Sequence, residues 1–278
     1  MKSSKGLTLL SSSPRTSLSP FATLLAIYER EVVVPPEIFY DDVEARKYTS
    51  FSHIVQIQVS LSKRALELLA LPDDHVPKLL LDISCGSRLS GKTLSENGHH
   101  WIEIGISASM LNVAMEREVE VDLLLGDMGR GLGIRPRVID GAISISAVQW
   151  LCNADNSSHN PRLRLKAFFT SLYKCLSNGA RAVFQVYPEN IDQCELILNA
   201  SMHVGFVGSI VVDFPHSSKR RKEFLVLTCG QHSINVSISK GKNEDGDSYS
   251  DKDNEDEENQ TITTDIPDFG NAGYGQVM

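Results

Sequence analysis

Four short stretches carry side chains and backbone suited to holding a ligand, and each falls where an apolar run gives out. Lys78–Gly91 (KLLLDISCGSRLSG) closes a run of leucines on Asp82, then breaks into Ser84, Cys85 and Gly86 ahead of Arg88 and a helix expected from Leu89. A strand–loop–helix of this kind points backbone N–H groups at a nucleotide-like ligand, which can approach closely only where side chains are small. The other three stretches are Gly105–Ser107, Asp127-Met128 and Ser144–Gln149, the last containing Ser146. In an open α/β sheet the ligand lies outside the carboxyl ends of the strands. An adenosine-bearing cofactor would place its amino-acid part at the first stretch, its ribose hydroxyls on an acid at the second, and its adenine amino group at the third. A carboxylate at Asp127 can accept from an exocyclic amine while Met128 packs on the ring. The competing reading makes Asp127 a helix cap or turn residue.

Those stretches need a sheet to bring them together, and the chain supplies its pattern. Val32–Pro36 reads as extended, because its paired prolines disfavour helix. Glu37–Tyr48 mixes aromatics with charge and is either a lid over a ligand or a segment packed on the core. Apolar residues at helical spacing from Ile54 to Leu69 predict a helix over Ser52–Leu71, stopped by Pro72. Beyond the first strand come a helix over 89–97 ended by Asn97-Gly98, a strand His100–Ile106 and a helix capped by Ser107 or Ser109. Strands Val121–Leu125 and Asp140–Ile145 follow, separated by the loop Gly129–Arg137. A helix Arg162–Leu176 ended by Asn178-Gly179 leads to strand Ala180–Tyr187 and helix Asp192–Val204. Two last strands, Val207–Phe214 and Glu223–Cys229, enclose the basic loop His216–Lys222 with no helix between them, so they must pair antiparallel. Strands alternating with helices imply right-handed crossovers, a mainly parallel sheet and helices on both faces.

Composition bounds the rest. With 278 residues, 41% hydrophobic and 22% charged, the chain fits a soluble globular protein with one main domain, expected over 32–231. The formal charge of −8 is local: 244–258 holds nine acids against one lysine, and the remainder balances. That acidic tail, 232–278, and the extension 1–31 are expected to be disordered. The extension has three basic residues, seven serines and no acid before Glu29, a composition that also suits an organelle transit peptide. Five scattered cysteines with no C-x-x-C pair support reduced thiols, with neither a metal site nor a disulfide framework. No apolar run reaches the roughly 18 residues of a membrane span.

Several longer stretches are more distinctive than the glycine loop: PPEIFYDDVEARKYTS (35–50), RALELLALPDD (64–74), LLLD (79–82), LSG (89–91), DLLLGDMG (122–129), DGAISISAVQWLCNAD (140–155) and VYPEN (186–190). On these the chain resembles the eukaryotic 18S rRNA guanine-N7 methyltransferase family over about Pro35–Gly230. The resemblance implies a class I, Rossmann-like methyltransferase fold and transfer of a methyl group from S-adenosyl-L-methionine to N7 of a guanine in 18S rRNA. It implies cofactor contacts at Asp82, Ser84, Cys85, Gly86, Gly105, Asp127, Met128 and Ser146, and no metal. It further implies work on the pre-40S particle in the nucleus and nucleolus, with the cytoplasm also open, and a small zinc-binding activator subunit paired along Val121–Leu125. N7 already carries a lone pair, so positioning the base outweighs any general base. Trp150, Tyr187, Pro188 and Glu189 lie where an aromatic could stack on guanine and an acid accept from its N1–H or amino group; ordinary core or loop roles compete for each.

Three positions depart from the family's cofactor pattern. Ser84 and Arg88 stand where D-x-G-x-G-x-G has glycines, and Ile104-Gly105-Ile106 lacks the acid expected to grip the ribose. Glu103 lies on the same strand face but one full pleat short. These departures keep a second reading open, a catalytically impaired relative acting as a ribosome-assembly factor.

Overall fold

The apolar runs pair as strands and the amphipathic stretches cover them, in a computed structural model that describes residues 35–83, 89–116, 122–154, 159–217, 220–230 and 241–243. In chain order the elements are α1 (Pro36–Phe39), α2 (Asp42–Ser50), α3 (Ser52–Leu69), β1 (Leu79–Ile83), α4 (Leu89–Glu96), β2 (His100–Gly105), α5 (Ala108–Met115) and β3 (Asp122–Leu125). They continue with β4 (Ile139–Ile145), α6 (Pro161–Cys175), β5 (Leu176–Val186), α7 (Ile191–Val204), β6 (Phe206–Asp213) and β7 (Lys222–Cys229), with 3₁₀ turns at Met128–Arg130 and Val148–Cys152. The sheet order is β3-β2-β1-β4-β5-β7-β6. β1 to β5 are parallel, and β7 runs antiparallel between β5 and β6. Seven strands, a mainly parallel sheet and a terminal antiparallel pair are the architecture expected above.

Strand alternation splits the core into two layers. Leu81, Ile83, Ala142 and Phe184 face α6 and α7, where Phe168, Phe169 and Phe206 stack edge-on around Phe184 and one another. Leu80, Ile143, Val183 and Phe224 face α3 and α4. Gly91 sits where α4 meets β2, and a Cβ there would lie 2.1 Å from the Trp101 ring, so only glycine permits the contact. A small third cluster joins α2 to α5 through Ala45, Met110 and Val113, with Tyr40 and Tyr48 against it.

Several local expectations shift. Pro36 opens a short helix at its first position, where a missing N–H costs nothing. α3 ends at Leu69, before Pro72, because Ala70 takes a left-handed conformation (φ 47°). Asn178-Gly179 does not end a helix: α6 stops at Cys175 and the pair lies inside β5, where the register with β4 slips between Ile139 and Gly141 and Gly179 adopts φ 79°. Asn-Gly is equally suited to a bulge. The aromatic segment ahead of the first strand packs on α5, tied by Ser107 Oγ donating to the Tyr40 carbonyl at 2.9 Å and by Arg46 pairing with both oxygens of Glu116.

Candidate functional site

The carboxyl ends of β1, β2, β3, β4 and β5 open on one edge of the sheet. Ser84, Cys85, Gly86 and Arg88 lie outside the described residues, so the first strand end is read from Asp82 and α4. Asp82 is fully buried and accepts from Ser90 Oγ on α4. Its second oxygen, Oδ1, has no hydrogen-bond partner among the described residues. Burial outweighs the Ser90 hydrogen bond and raises its pKa to about 7. Glu103, also fully buried, is the register partner of Asp82 on β2. Paired residues of parallel strands share a face, so two carboxylates stand side by side under α4.

At the second strand end Gly105 is buried, pairs with Leu125 and supplies no side chain. Ser107 follows as the N-cap of α5, accepting from Met110 N at 3.2 Å. The Tyr40 carbonyl reaches this point through the Ser107 hydroxyl, so α1 and α2 lie beside the end of β2.

The third strand end joins both readings of Asp127. Its Oδ1 accepts from Gly129 N at 2.8 Å, capping the 3₁₀ turn, and from Arg164 Nη2 of α6 at 2.9 Å. Its Oδ2 lies 4.0 Å from Arg130 Nε. The cap and the Arg164 ion pair therefore share Oδ1, and Oδ2 has only the longer Arg130 contact. Met128 is buried against the α6 side of the core, behind the acid.

At the fourth and fifth ends the chain is locked together. Ser146 takes φ 57°, a conformation costing a non-glycine residue roughly 1 kcal/mol. Three bonds hold it there: its N–H donates to the Gln185 carbonyl at 3.0 Å, its hydroxyl donates to Gln185 Oε1, and its carbonyl accepts from Gln149 Nε2 at 2.8 Å. Gln149 and Gln185 are buried polar groups. Trp150 is half-buried against the α6 layer. Tyr187 and Pro188 are half-buried just beyond β5, Glu189 is exposed, and Asn190 caps α7 by accepting from Gln193 N. Burial, with a smaller contribution from the negative charge of Glu189, pushes the Cys152 thiol up to about 11.

The sequence reading did not single out Arg164, Ser90 or Gln185. Arg164 is one of several charges on an amphipathic helix, 37 residues from its partner, and nothing local marks it. Gln185 did carry a signal, being a polar residue inside the apolar run AVFQV.

No family model matches the chain. Over 210 residues it is 74% identical to "18S rRNA (guanine-N(7))-methyltransferase RID2" of Arabidopsis thaliana, covering 76% of this chain and 73% of that protein. It is 56% identical over 196 residues to the "18S rRNA (guanine-N(7))-methyltransferase" of Mus musculus, covering 70% and 69% of the two chains. Among solved structures, a Methanococcus maripaludis protein described as an S-adenosyl-L-methionine-dependent methyltransferase superposes with a TM-score of 0.51 at 11% identity, over 70% of this chain and 95% of that one. The superposition establishes the fold alone. Joined to these identities, it leaves one assignment: the chain belongs to the 18S rRNA (guanine-N7)-methyltransferase family.

Proposed function

We propose that the chain transfers a methyl group from S-adenosyl-L-methionine to N7 of a guanine in 18S rRNA, as a step of small-subunit ribosome biogenesis. The observation that carries this is the 74% identity to the RID2 methyltransferase across the methyltransferase domain, taken here as 32–231. The chemistry of the strand ends fits the cofactor at two of its three parts. Asp82 Oδ1, buried and unmatched among the described residues, suits the cofactor's ammonium group. Asp127 Oδ2, with Met128 behind it, suits the adenine edge. At the ribose, Gly105 offers space and backbone but no carboxylate.

When bound, S-adenosyl-L-methionine supplies a methyl group made electrophilic by its sulfonium. The protein's part is to bring guanine N7 in line with that methyl and to keep the base from rotating. Tyr187 and Trp150 are the rings that would stack on the guanine, and Glu189 is the acid that would accept from its N1–H or amino group. Ser146 and Gln149, fixed through Gln185, would form the wall between cofactor and base. No proton need leave N7 before transfer, so no side chain is assigned as a base.

A zinc-binding activator subunit is part of this reading. β3 is an edge strand, with Leu124 40% and Leu125 64% exposed. An uncovered apolar edge favours strand addition by a partner. On the same reading the protein works in the nucleus and nucleolus, where pre-40S particles assemble. The impaired-relative reading is not favoured: relatives named as methyltransferases align over the same residues, and Gly105 is the departure among the described residues. The test is incubation of the chain, co-purified with its activator, with radiolabelled S-adenosyl-L-methionine and pre-40S particles. Label in 7-methylguanine of 18S rRNA is expected, and its absence with active relatives run in parallel would overturn the reading.

A further inference from the structure

On the same carboxyl edge of the sheet, but beyond β5, a cleft of about 420 Å³ opens between α3 and the β6–β7 hairpin. Because β6 is antiparallel to β7 and β7 to β5, the ends of β6 and β5 open on the same edge. The acids of this cleft are consumed by its framework. Arg64 gives Nε and Nη2 to the two oxygens of Asp213 at 2.9 and 3.0 Å, and Nη1 to Glu67 at 2.9 Å. Lys242 adds its N–H to Asp213 at 2.9 Å and its ammonium to Glu67 at 3.0 Å.

What remains is cationic. Lys63 and Lys222 line the cleft, and among the described residues neither has a carboxylate partner. Lys222 is half-buried, and its loss of hydration pushes it below the usual lysine range. Its ammonium stands 5.4 Å from the centre of the Tyr187 ring, just beyond β5. The Arg220 guanidinium carbon stands 4.0 Å from the centre of the Phe214 ring, itself part of the cleft lining. Cations therefore lead from the cleft to the aromatic residue proposed to stack on the guanine. A partly desolvated lysine beside an aromatic ring suits a ligand that alternates anionic groups with flat bases.

We propose that this cleft is the track for the phosphodiester backbone of single-stranded RNA next to the methylated guanine, with Lys222 holding the phosphate nearest Tyr187. The proposal rests on RNA being the substrate, and it adds where the strand enters and which side chains carry its charge.

The test is fluorescence anisotropy of the full chain with a labelled single-stranded RNA 12-mer containing one guanine, read across salt concentration. Lys63→Met and Lys222→Met should each weaken binding severalfold and reduce the log–log salt slope by roughly 0.7. The double variant should lose tenfold or more, Lys222→Arg should retain most of the affinity, and thermal midpoint with S-adenosyl-L-methionine binding should match the parent. Unchanged RNA affinity in the double variant overturns the proposal. So does a raised affinity, which would mean that the cations had been serving the acids of 244–258. Loss of RNA binding without methyl transfer by the parent would count against the proposed function and leave the cleft standing. Methyl transfer with unchanged RNA affinity would count against the cleft alone.

Discussion

The two halves of one sheet edge carry opposite charge. At the β1–β3 half stand Asp82, Glu103 and Asp127, two of them fully buried. At the β5–β7 half stand Lys63 in the cleft, Lys222 over Tyr187 and Arg220 over Phe214. A cofactor bearing a sulfonium and an ammonium belongs with the acids, and a polyanionic strand belongs with the cations. Between them Ser146, Gln149 and Gln185 form an uncharged joint tied through the Ser146 hydroxyl and carbonyl. Under the proposed function the two ligands would lie on opposite sides of β4 and meet over it.

Substitutions that erase one side of this contrast should have graded effects. The largest is expected at Arg164. Replacement by methionine leaves Asp127, 18% exposed, beside no near cation except the distant Arg130. Breaking such a pair costs about 3 kcal/mol, read as a lower urea midpoint at unchanged slope. Loss below about 1 kcal/mol would mean that the ion pair is not formed in solution.

Asp82 comes next, through pH. Its pKa is about 7 in the fold against 3.8 as the ordinary value. The unfolded chain therefore gives up this proton first, and the fold's advantage is complete below about pH 4 and lost as pH rises through 7. The difference is worth a few kcal/mol. Asp82→Asn should flatten the decline between pH 4 and 7 in urea titrations. A decline that persists in this variant would mean that Asp82 does not carry it.

A gain is expected at Gly105. Restoring an acid with Gly105→Asp adds two hydrogen bonds to ribose hydroxyls and should tighten S-adenosyl-L-methionine binding by about a hundredfold. Weaker binding in calorimetry would show that the α1–α2 segment, tied to Ser107, occupies that space instead. The smallest effect is expected at the apolar edge, where Leu125→Arg should reduce co-purification with the proposed activator about tenfold while leaving the cofactor affinity of the isolated chain unchanged.

The frame of the site is legible in the sequence: the alternation of strands and helices along the chain, the antiparallel pair and the positions of Asp82, Gly105 and Asp127 at strand ends follow from period-2 and period-3.6 patterns that are local along the chain. Pairings across distant segments were not legible. Nothing near Arg164 marks it as the partner of Asp127, and nothing near Lys222 places it over Tyr187, because both contacts are made by chain closure. Helix ends are ambiguous where one signal serves two structures: Asn178-Gly179 suits a helix stop or a β-bulge, and only the slip in register between β4 and β5 decides. Asp127 suits an adenine acceptor or a cap in the sequence, and the structure shows the cap.

The central claim is that the acidic half holds S-adenosyl-L-methionine. Isothermal titration of the full chain tests it most directly. The account predicts one site per chain with micromolar affinity, displaced by S-adenosylhomocysteine and weakened at least tenfold by Asp82→Asn. Absence of binding in the parent, or binding that Asp82→Asn leaves unchanged, would contradict it.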